Sequence, residues 1–520
     1  MRAAITLAGD TAMVLAGALI PLASAPFGLW PVSIVSVGIF FAISQASSPR
    51  RVVWRGWLFG CGLFGVGASW VYFSLNLFGN AVAPLAGLLT AFFDMGLALI
   101  FAFLAWLHLR VSQRLKLPVF LLLVAPALWV GAEMFRGWFL TGFPWLLVGT
   151  SQIDSPLSGY APIVGVYGVS WLVALSAALC LFCLLQLRDF VTRLVQVVGA
   201  ASVLVAIWVG GWFLQKLDWS FPVGDPVSVR LVQGNIEQSI KFDEKQIRDS
   251  IKTYQKLSQL EEATDLIIWP ETAIADFYFR VKDVMEPFLA DVERGEATVL
   301  LGTFEYDPVT GRYYNSFLNA TNPSQQYRKR HLVPFGEYMP LRRLLDFLNQ
   351  FIAIPMSDLF PGAALQTPIA VGHLKIGVSI CYEDAFPEEV IDMLPDANVL
   401  VNVSNDSWFG DSLAPHQHLE IARFRALETG RPLLRVANTG ISAIISHTGK
   451  VERESQQFIA ETLDYMVQPR QGITPYVRWG NSFVLLLLIV SPIVFAFFVK
   501  NERLNSAGRV NKQVEEIDRQ

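Results

Sequence analysis

Three residues of different chemical type each follow a short β-rich run: Glu271 in IIWPET, Lys329 in QYRKRHLVPFGE and Cys381 in SICYED. Together they could carry acyl transfer. A thiol is a poor nucleophile until deprotonated, a carboxylate can take that proton and later return it, and an ammonium can stabilise the oxyanion of a tetrahedral intermediate. The ammonium also lowers the thiol pKa through charge, whereas burial raises it. Singly, each residue has a plainer reading: Glu271 as a strand-end cap, Lys329 as one of a basic run with Arg328 and Arg330, and Cys381 as a small core filler. Ends of adjacent strands converge on one edge of a sheet, so residues far apart in sequence are expected to meet there.

The elements that must position them lie in a stretch that carries most of the charge, about 220–479. VSVRLVQGNI (227–236), DLIIWPE, ATVLLGTFEYD, YYNSFLNAT, KIGVSICYE, NVLVNVSND, LLRVANTGISAII and YMVQPR read as strands. Polar helical runs start near Asp243 and at EIARFRALETG, the latter ended by Gly430. LIIW and VLLG are apolar on both faces, which suits interior strands covered by helices. An α/β domain is expected over 218–479.

The rest of the chain is unlike a soluble enzyme. Of 520 residues, 53% are hydrophobic and only 16% charged, so a membrane protein is the first expectation. Apolar runs near 5–24, 29–46, 57–76, 83–107, 118–135, 162–185, 195–214 and 481–499 are each close to a bilayer-crossing length. The basic residues test that count. Arg2; Arg50, Arg51 and Arg55; Arg110, Arg114 and Lys116; Arg188 and Arg193; and Lys500 and Arg503 all fall on one side of eight spans, whereas the links at 25–29, 77–82 and 137–161 hold no Lys or Arg. Eight transmembrane helices with both termini cytoplasmic are therefore expected, in a membrane region 1–217 and a final span and tail 480–520. A cleaved signal peptide ending at Ala23-Ser24-Ala25 is the rival reading of the first run, but keeping that run is what aligns the basic loops.

Asp94, deep in an apolar run, reads either as a pathway residue or as a buried helix contact. Glu133 and Arg136 could pair with each other or face a lipid headgroup. The uncharged, aromatic GWFLTGFPWLL (137–147) suits the membrane interface.

A net charge of −4 and the lack of a basic tract set nucleic acids aside. Cys61, Cys180, Cys183 and Cys381 form neither a zinc spacing nor a disulfide framework, and His416 with His418 lacks further ligands, so no metal and no cofactor are expected.

WPE at 269–271, YRKRHL at 327–332 and CYED at 381–384, in this order, resemble the nitrilase superfamily, whose members share an αββα sandwich and a Glu-Lys-Cys triad. With LVQGNI (231–236), HLVPFGEYMP (331–340), NDSWFGDS (405–412) and the flanking spans, the whole chain resembles its membrane-embedded branch, the bacterial apolipoprotein N-acyltransferases. The resemblance implies Cys381 as nucleophile, Glu271 as general base and acid, and Lys329 as oxyanion stabiliser. It implies Glu337 as a further glutamate that orients the site and Tyr382 and Glu383 as supporting residues. Asn315 in YYNS is expected to help shape the same pocket, and the Tyr382 N–H is a sensible second oxyanion donor.

It further implies a two-step reaction. The thiol takes an acyl chain from a phospholipid, typically phosphatidylethanolamine, and the thioester is passed to the amine of an S-diacylglyceryl cysteine that begins an apolipoprotein. The expected location is the bacterial inner membrane, with the catalytic domain on the periplasmic face. LLDFLNQFIAIPM (344–356) is expected to be a membrane-facing lid, or else an ordinary packing helix. A membrane-tethered amidase or nitrilase would need only one span, and a transporter is invited by Asp94 alone.

Overall fold

A computed structural model describes residues 2–44, 48–79, 81–187, 190–259, 264–339, 358–493 and 496. The lid stretch 344–356 lies outside the described residues. The described parts of the apolar runs are mainly helical, because backbone inside a bilayer must satisfy its own N–H and C=O groups. Ala83–Ser112, Leu117–Thr141, Pro156–Gln186 and Thr192–Leu214 are long and apolar enough to cross a membrane. Pro49–Gly67 and Val71–Leu77, bent by 61°, make a fifth crossing if counted as one. Leu7–Ala23, Pro31–Ile43 and Ser482–Ile493 are apolar but shorter. Among the described residues the result is a multi-pass α-helical membrane segment of four to five apolar spans.

Small residues let these helices approach closely. A Cβ added to Gly60 would lie 2.5 Å from the Cα of Ala98, on the neighbouring helix. Asp94 is buried on that helix, and its Oδ1 has no hydrogen-bond partner among the described residues. Glu133 and Arg136 are also buried, and both are spent on one loop. Glu133 Oε1 accepts from the Val148 N–H at 3.1 Å, and the Arg136 guanidinium donates to the Trp145 and Leu146 carbonyls. The 137–147 stretch accordingly divides: Trp138, Phe139 and Leu140 are exposed, while Trp145, Leu146 and Leu147 are buried.

The remaining chain builds two sheets face to face. One holds, in spatial order, Glu461–Val467, Val227–Gln233, Leu266–Ile268, Thr298–Asp307, Arg312–Asn319 and Gln326–Arg328, with Ile274–Phe277 also on Thr298–Asp307. The other runs Val451–Glu454, Ala443–Ile445, Leu433–Ala437, Val399–Ser404, Leu374–Ile380 and Ile369–Val371. The central strands of each sheet pair in parallel.

Alternation along the strands fixes the layers. Leu266, Ile268, Val399, Val401 and Val403 point between the sheets, where Val229, Ile376 and Val378 meet them. Ile267, Trp269 and Val299 point outward and are covered by the helices Glu244–Leu257 and Lys282–Arg294. On the other outer face, Leu419, Ala422 and Ala426 of the helix Ala414–Thr429 cover Leu400 and Leu433. This is the αββα sandwich.

The helix Ala414–Thr429 also faces the membrane segment, into whose core it sends Ile421 and Phe424. Buried on both faces, it shows no amphipathic stripe. Its N-terminal end lies six residues before the start expected from EIARFRALETG, and it ends at Gly430, whose φ of +65° is left-handed. Thus one helical layer of the sandwich is the mount that joins it to the spans.

Candidate active site

Glu271, Lys329 and Cys381 do meet, but not along one sheet edge. Glu271 follows Leu266–Ile268 and Lys329 follows Gln326–Arg328 in one sheet, whereas Cys381 ends Leu374–Ile380 in the other. They converge across the sandwich, because face-to-face packing brings the strand ends of both sheets to one rim.

Lys329 is buried, with Nζ 3.4 Å from Glu271 Oε1 and 2.9 Å from the Glu337 carboxylate. Asn315 Nδ2 bridges the same two acids at 2.8 and 3.0 Å. Glu271 is held further by the Asn405 N–H, which donates to its Oε2 at 2.8 Å. The Val333 N–H donates to Glu337 Oε2 at 2.9 Å. One cation, two carboxylates and one amide thus form a closed set.

Burial opposes the charge on Lys329, but Glu271, Glu337 and the neighbouring Cys381 thiol outweigh it and raise the amine pKa, so Lys329 stays an ammonium. For Cys381 burial raises the pKa and Glu271 adds to it, against the opposing pull of Lys329 and Ser404. The net direction is up. The resting thiol therefore keeps its proton at neutral pH, and any attack by sulfur needs a base.

Glu383 is not free to be that base. Its carboxylate accepts from the Ile380 N–H at 2.7 Å, the Arg330 N–H at 2.7 Å, the His331 N–H at 3.1 Å and the Tyr327 hydroxyl at 3.1 Å. Burial raises its pKa to about 7 against the three backbone N–H donors and the Lys329 charge. Glu383 staples the turn Cys381–Ala385 to the segment that carries Lys329. Tyr382 points the other way, donating from its hydroxyl to the Gly142 carbonyl at 3.0 Å. Its ring stacks on Trp145 at 6.1 Å.

Beside these groups opens a cleft of about 380 Å³, with Glu271, Asn315 and Glu337 on its polar side and Phe242, Phe304 and Trp408 among its apolar lining. The bent helical pair of the membrane segment closes on it: the Ser74 hydroxyl donates to the Trp408 carbonyl at 2.7 Å, and Trp70 packs on Phe409 at 4.9 Å.

Comparison with known proteins decides the family. A profile described as "Apolipoprotein N-acyltransferase N-terminal domain" matches residues 16–179, and one described as "Carbon-nitrogen hydrolase" matches 228–472. The apolipoprotein N-acyltransferase of Methylococcus capsulatus is 41% identical over 97% of this chain and 99% of its own. That of Azotobacter vinelandii is 40% identical over 91% of each.

The chain belongs to the apolipoprotein N-acyltransferase family.

In this N-acyltransferase several site contacts come from residues that the strand pattern does not mark. Lys241 is buried, with Nζ 3.4 Å from the Glu271 carbonyl. Burial lowers its pKa to about 7, against the raising effect of Glu271. Asn405 sits in the NDSWFGDS motif, but its contact is through a backbone N–H, for which side-chain type gives no signal. His418 is hydrogen-bonded to the Cys381 carbonyl at 3.2 Å. Among the described residues no group of His, Cys, Asp and Glu could hold a metal ion.

Proposed function

We propose that this chain moves an acyl chain from a phospholipid to the amine of a diacylated apolipoprotein through a thioester on Cys381. The observation that carries this is Lys329 clamped between Glu271 and Glu337, at a rim built against the membrane helices that also carries Cys381.

Glu271 takes the Cys381 proton as sulfur attacks the ester carbonyl. The Lys329 ammonium and the Tyr382 N–H, at the open start of its turn, receive the oxyanion. Collapse breaks the ester C–O bond, and Glu271 gives the proton to the departing alkoxide oxygen, so that the lysophospholipid leaves with a free hydroxyl. In the second step the free amine, whose ordinary pKa is about 8, attacks the thioester carbonyl. Glu271 removes its extra proton and hands it to the departing thiolate, leaving an amide and the free thiol. Glu337 and Asn315 keep Lys329 and Glu271 in register throughout.

Phosphatidylethanolamine as donor and S-diacylglyceryl cysteine as acceptor fit a site that never leaves the bilayer. Each chain CH2 drawn into water costs about 0.8 kcal/mol, so a site reached by lateral diffusion avoids a prohibitive cost. The proposed arrangement is a membrane region 1–217 with seven spans, a periplasmic catalytic domain 218–479, and an eighth span and cytoplasmic tail 480–520 in a bacterial inner membrane. With the bent pair counted as a fifth long span, the three shorter apolar helices complete the proposed eight.

The test is mass spectrometry of the purified protein after incubation with isotope-labelled phosphatidylethanolamine, followed by addition of a diacylated lipopeptide. A labelled acyl group on Cys381 that moves to the lipopeptide amine is expected, and Cys381→Ser is expected to abolish both signals. Release of free fatty acid alone would mark a hydrolase.

A further inference from the structure

Behind Cys381 lies a second cluster that no step of the acyl transfer uses. Cys381 has a φ of +53°, a left-handed conformation that a residue with a Cβ adopts only when its surroundings hold it there. Its carbonyl is gripped twice, by Asn402 Nδ2 at 3.2 Å and by His418 Nε2 at 3.2 Å. The same His418 Nε2 is 2.9 Å from Asp384 Oδ1, and Nδ1 is 3.2 Å from Asp406 Oδ1.

All three partners of the ring are acceptors, a carbonyl and two carboxylates. The imidazole can satisfy them only with a hydrogen on both nitrogens. Charge balance requires the same form. Arg435 lies 2.7 Å from Asp406 and 3.7 Å from Asp384, and the side chains of all four residues are 0% exposed. A neutral His418 would leave two carboxylates against one guanidinium, an uncompensated buried charge.

We infer that His418, as an imidazolium clamped between Asp384 and Asp406, is a positioning residue of the acyl transfer that holds the Cys381 backbone in the conformation presenting its thiol to Lys329 and Glu271. The inference rests on the nucleophilic role proposed for Cys381. His418 acts through the carbonyl and touches no reacting atom.

The groups facing the ring come from every neighbouring element: Asp384 from the turn Cys381–Ala385, Asp406 from the turn Asp406–Phe409 and Arg435 from the strand Leu433–Ala437. The uncharged rings of Trp145 and Phe409 pack at 5.3 and 6.3 Å. Burial and Arg435 lower the imidazole pKa, but the two aspartates raise it further, to about 8. The imidazolium form therefore predominates at neutral pH and is lost as pH rises through that value.

The experiment measures the rate of thioester formation on Cys381 in the full-length protein, in phospholipid mixed micelles, from neutral to alkaline pH. The wild-type rate is expected to fall as pH passes about 8. Asp384→Asn removes one negative charge from the ring, so its fall is expected at lower pH. His418→Gln is expected to lose the fall and to be slower by about 100-fold. Nitrogen-15 spectra of histidine-labelled wild type give a readout that survives a variant that does not fold, and are expected to show both His418 nitrogens protonated at neutral pH. A bare His418 nitrogen at neutral pH, or one pH profile shared by wild type and variants, would overturn the inference. Absence of any acyl group on wild-type Cys381 would instead overturn the proposed nucleophile.

Discussion

Lys329 Nζ stands 2.9 Å from the Glu337 carboxylate, with both side chains largely shielded from water. The pair is closer than Lys329 to Glu271, at 3.4 Å, so Glu337 fixes the cation and leaves Glu271 the looser partner. Removing the cation strands two carboxylates joined by Asn315 alone. Lys329→Met is expected to abolish thioester formation and to cost about 3–5 kcal/mol of stability, as for a broken buried pair. Lys329→Met with Glu337→Gln is expected to regain part of that stability and none of the activity. Denaturant unfolding of the single and double variants measures the coupling, and simple additivity of the two losses would contradict it.

Gly302 controls Glu271 from the adjacent strand. A Cβ added there would fall 2.6 Å from both the Pro270 carbonyl oxygen and the Thr272 nitrogen, and 2.7 Å from the Glu271 Cα. These are backbone atoms and cannot swing aside. Gly302→Ala is expected to push Glu271 out of line and slow thioester formation by about 100-fold, while the overpacking costs about 1–3 kcal/mol of stability. Gly96→Ala, where an added Cβ meets nothing within 4 Å, is expected to leave the rate unchanged. Equal rates for the two variants would remove the steric argument.

What could be read from the sequence follows from how each residue acts. Glu271, Lys329 and Cys381 act through side chains at strand ends, and residue type with flanking β-rich runs exposes them. That they belong to two sheets was not legible, because Gln326–Arg328 and Ile369–Val371 have only three residues each, too few for a period-2 pattern. His418 escaped for another reason. Its helix is buried on both faces, so no stripe distinguishes an inward histidine, and its partners lie 12 and 34 residues away. Trp145 is one tryptophan among 15, and only packing singles it out.

Glu420 lies on the helix Ala414–Thr429, where its Oε1 accepts from the Ala25 N–H at 3.0 Å. Burial raises its carboxyl pKa from 4.5 to about 8, against the lowering effect of Ala25 and Ser24. The folded state thus holds a proton that the unfolded chain releases earlier. The stability this confers is complete below 4.5, declines as pH rises, and is gone once pH has passed about 8. Glu420→Gln keeps an acceptor for Ala25 and removes the titration. Its thermal midpoint, relative to wild type, is expected to climb as pH rises between those limits and then level off. A difference that stays constant over that range would count against the buried acid.

The Tyr382 hydroxyl ties the residue after Cys381 to Gly142, in the loop that Glu133 and Arg136 hold among the membrane helices. The turn that carries Cys381 meets the membrane segment through this hydrogen bond and a ring stack, beside the packing of Ala385 in the membrane core, and the bond can be removed without the stack. Tyr382→Phe keeps the stack on Trp145 but leaves the Gly142 carbonyl without this donor, a loss of about 1–3 kcal/mol. If about 1.4 kcal/mol of it falls on the transition state, thioester formation slows about tenfold. Gly142→Ala is expected to do more, because Gly142 has a φ of +94° and an added Cβ would strike the Gly137 carbonyl oxygen. That substitution already displaces the carbonyl, so adding Tyr382→Phe to it should cost less than Tyr382→Phe alone. Thioester rates for the four proteins of this cycle measure the coupling, and a full tenfold loss in both backgrounds would mean that the hydroxyl acts by some route other than the membrane loop.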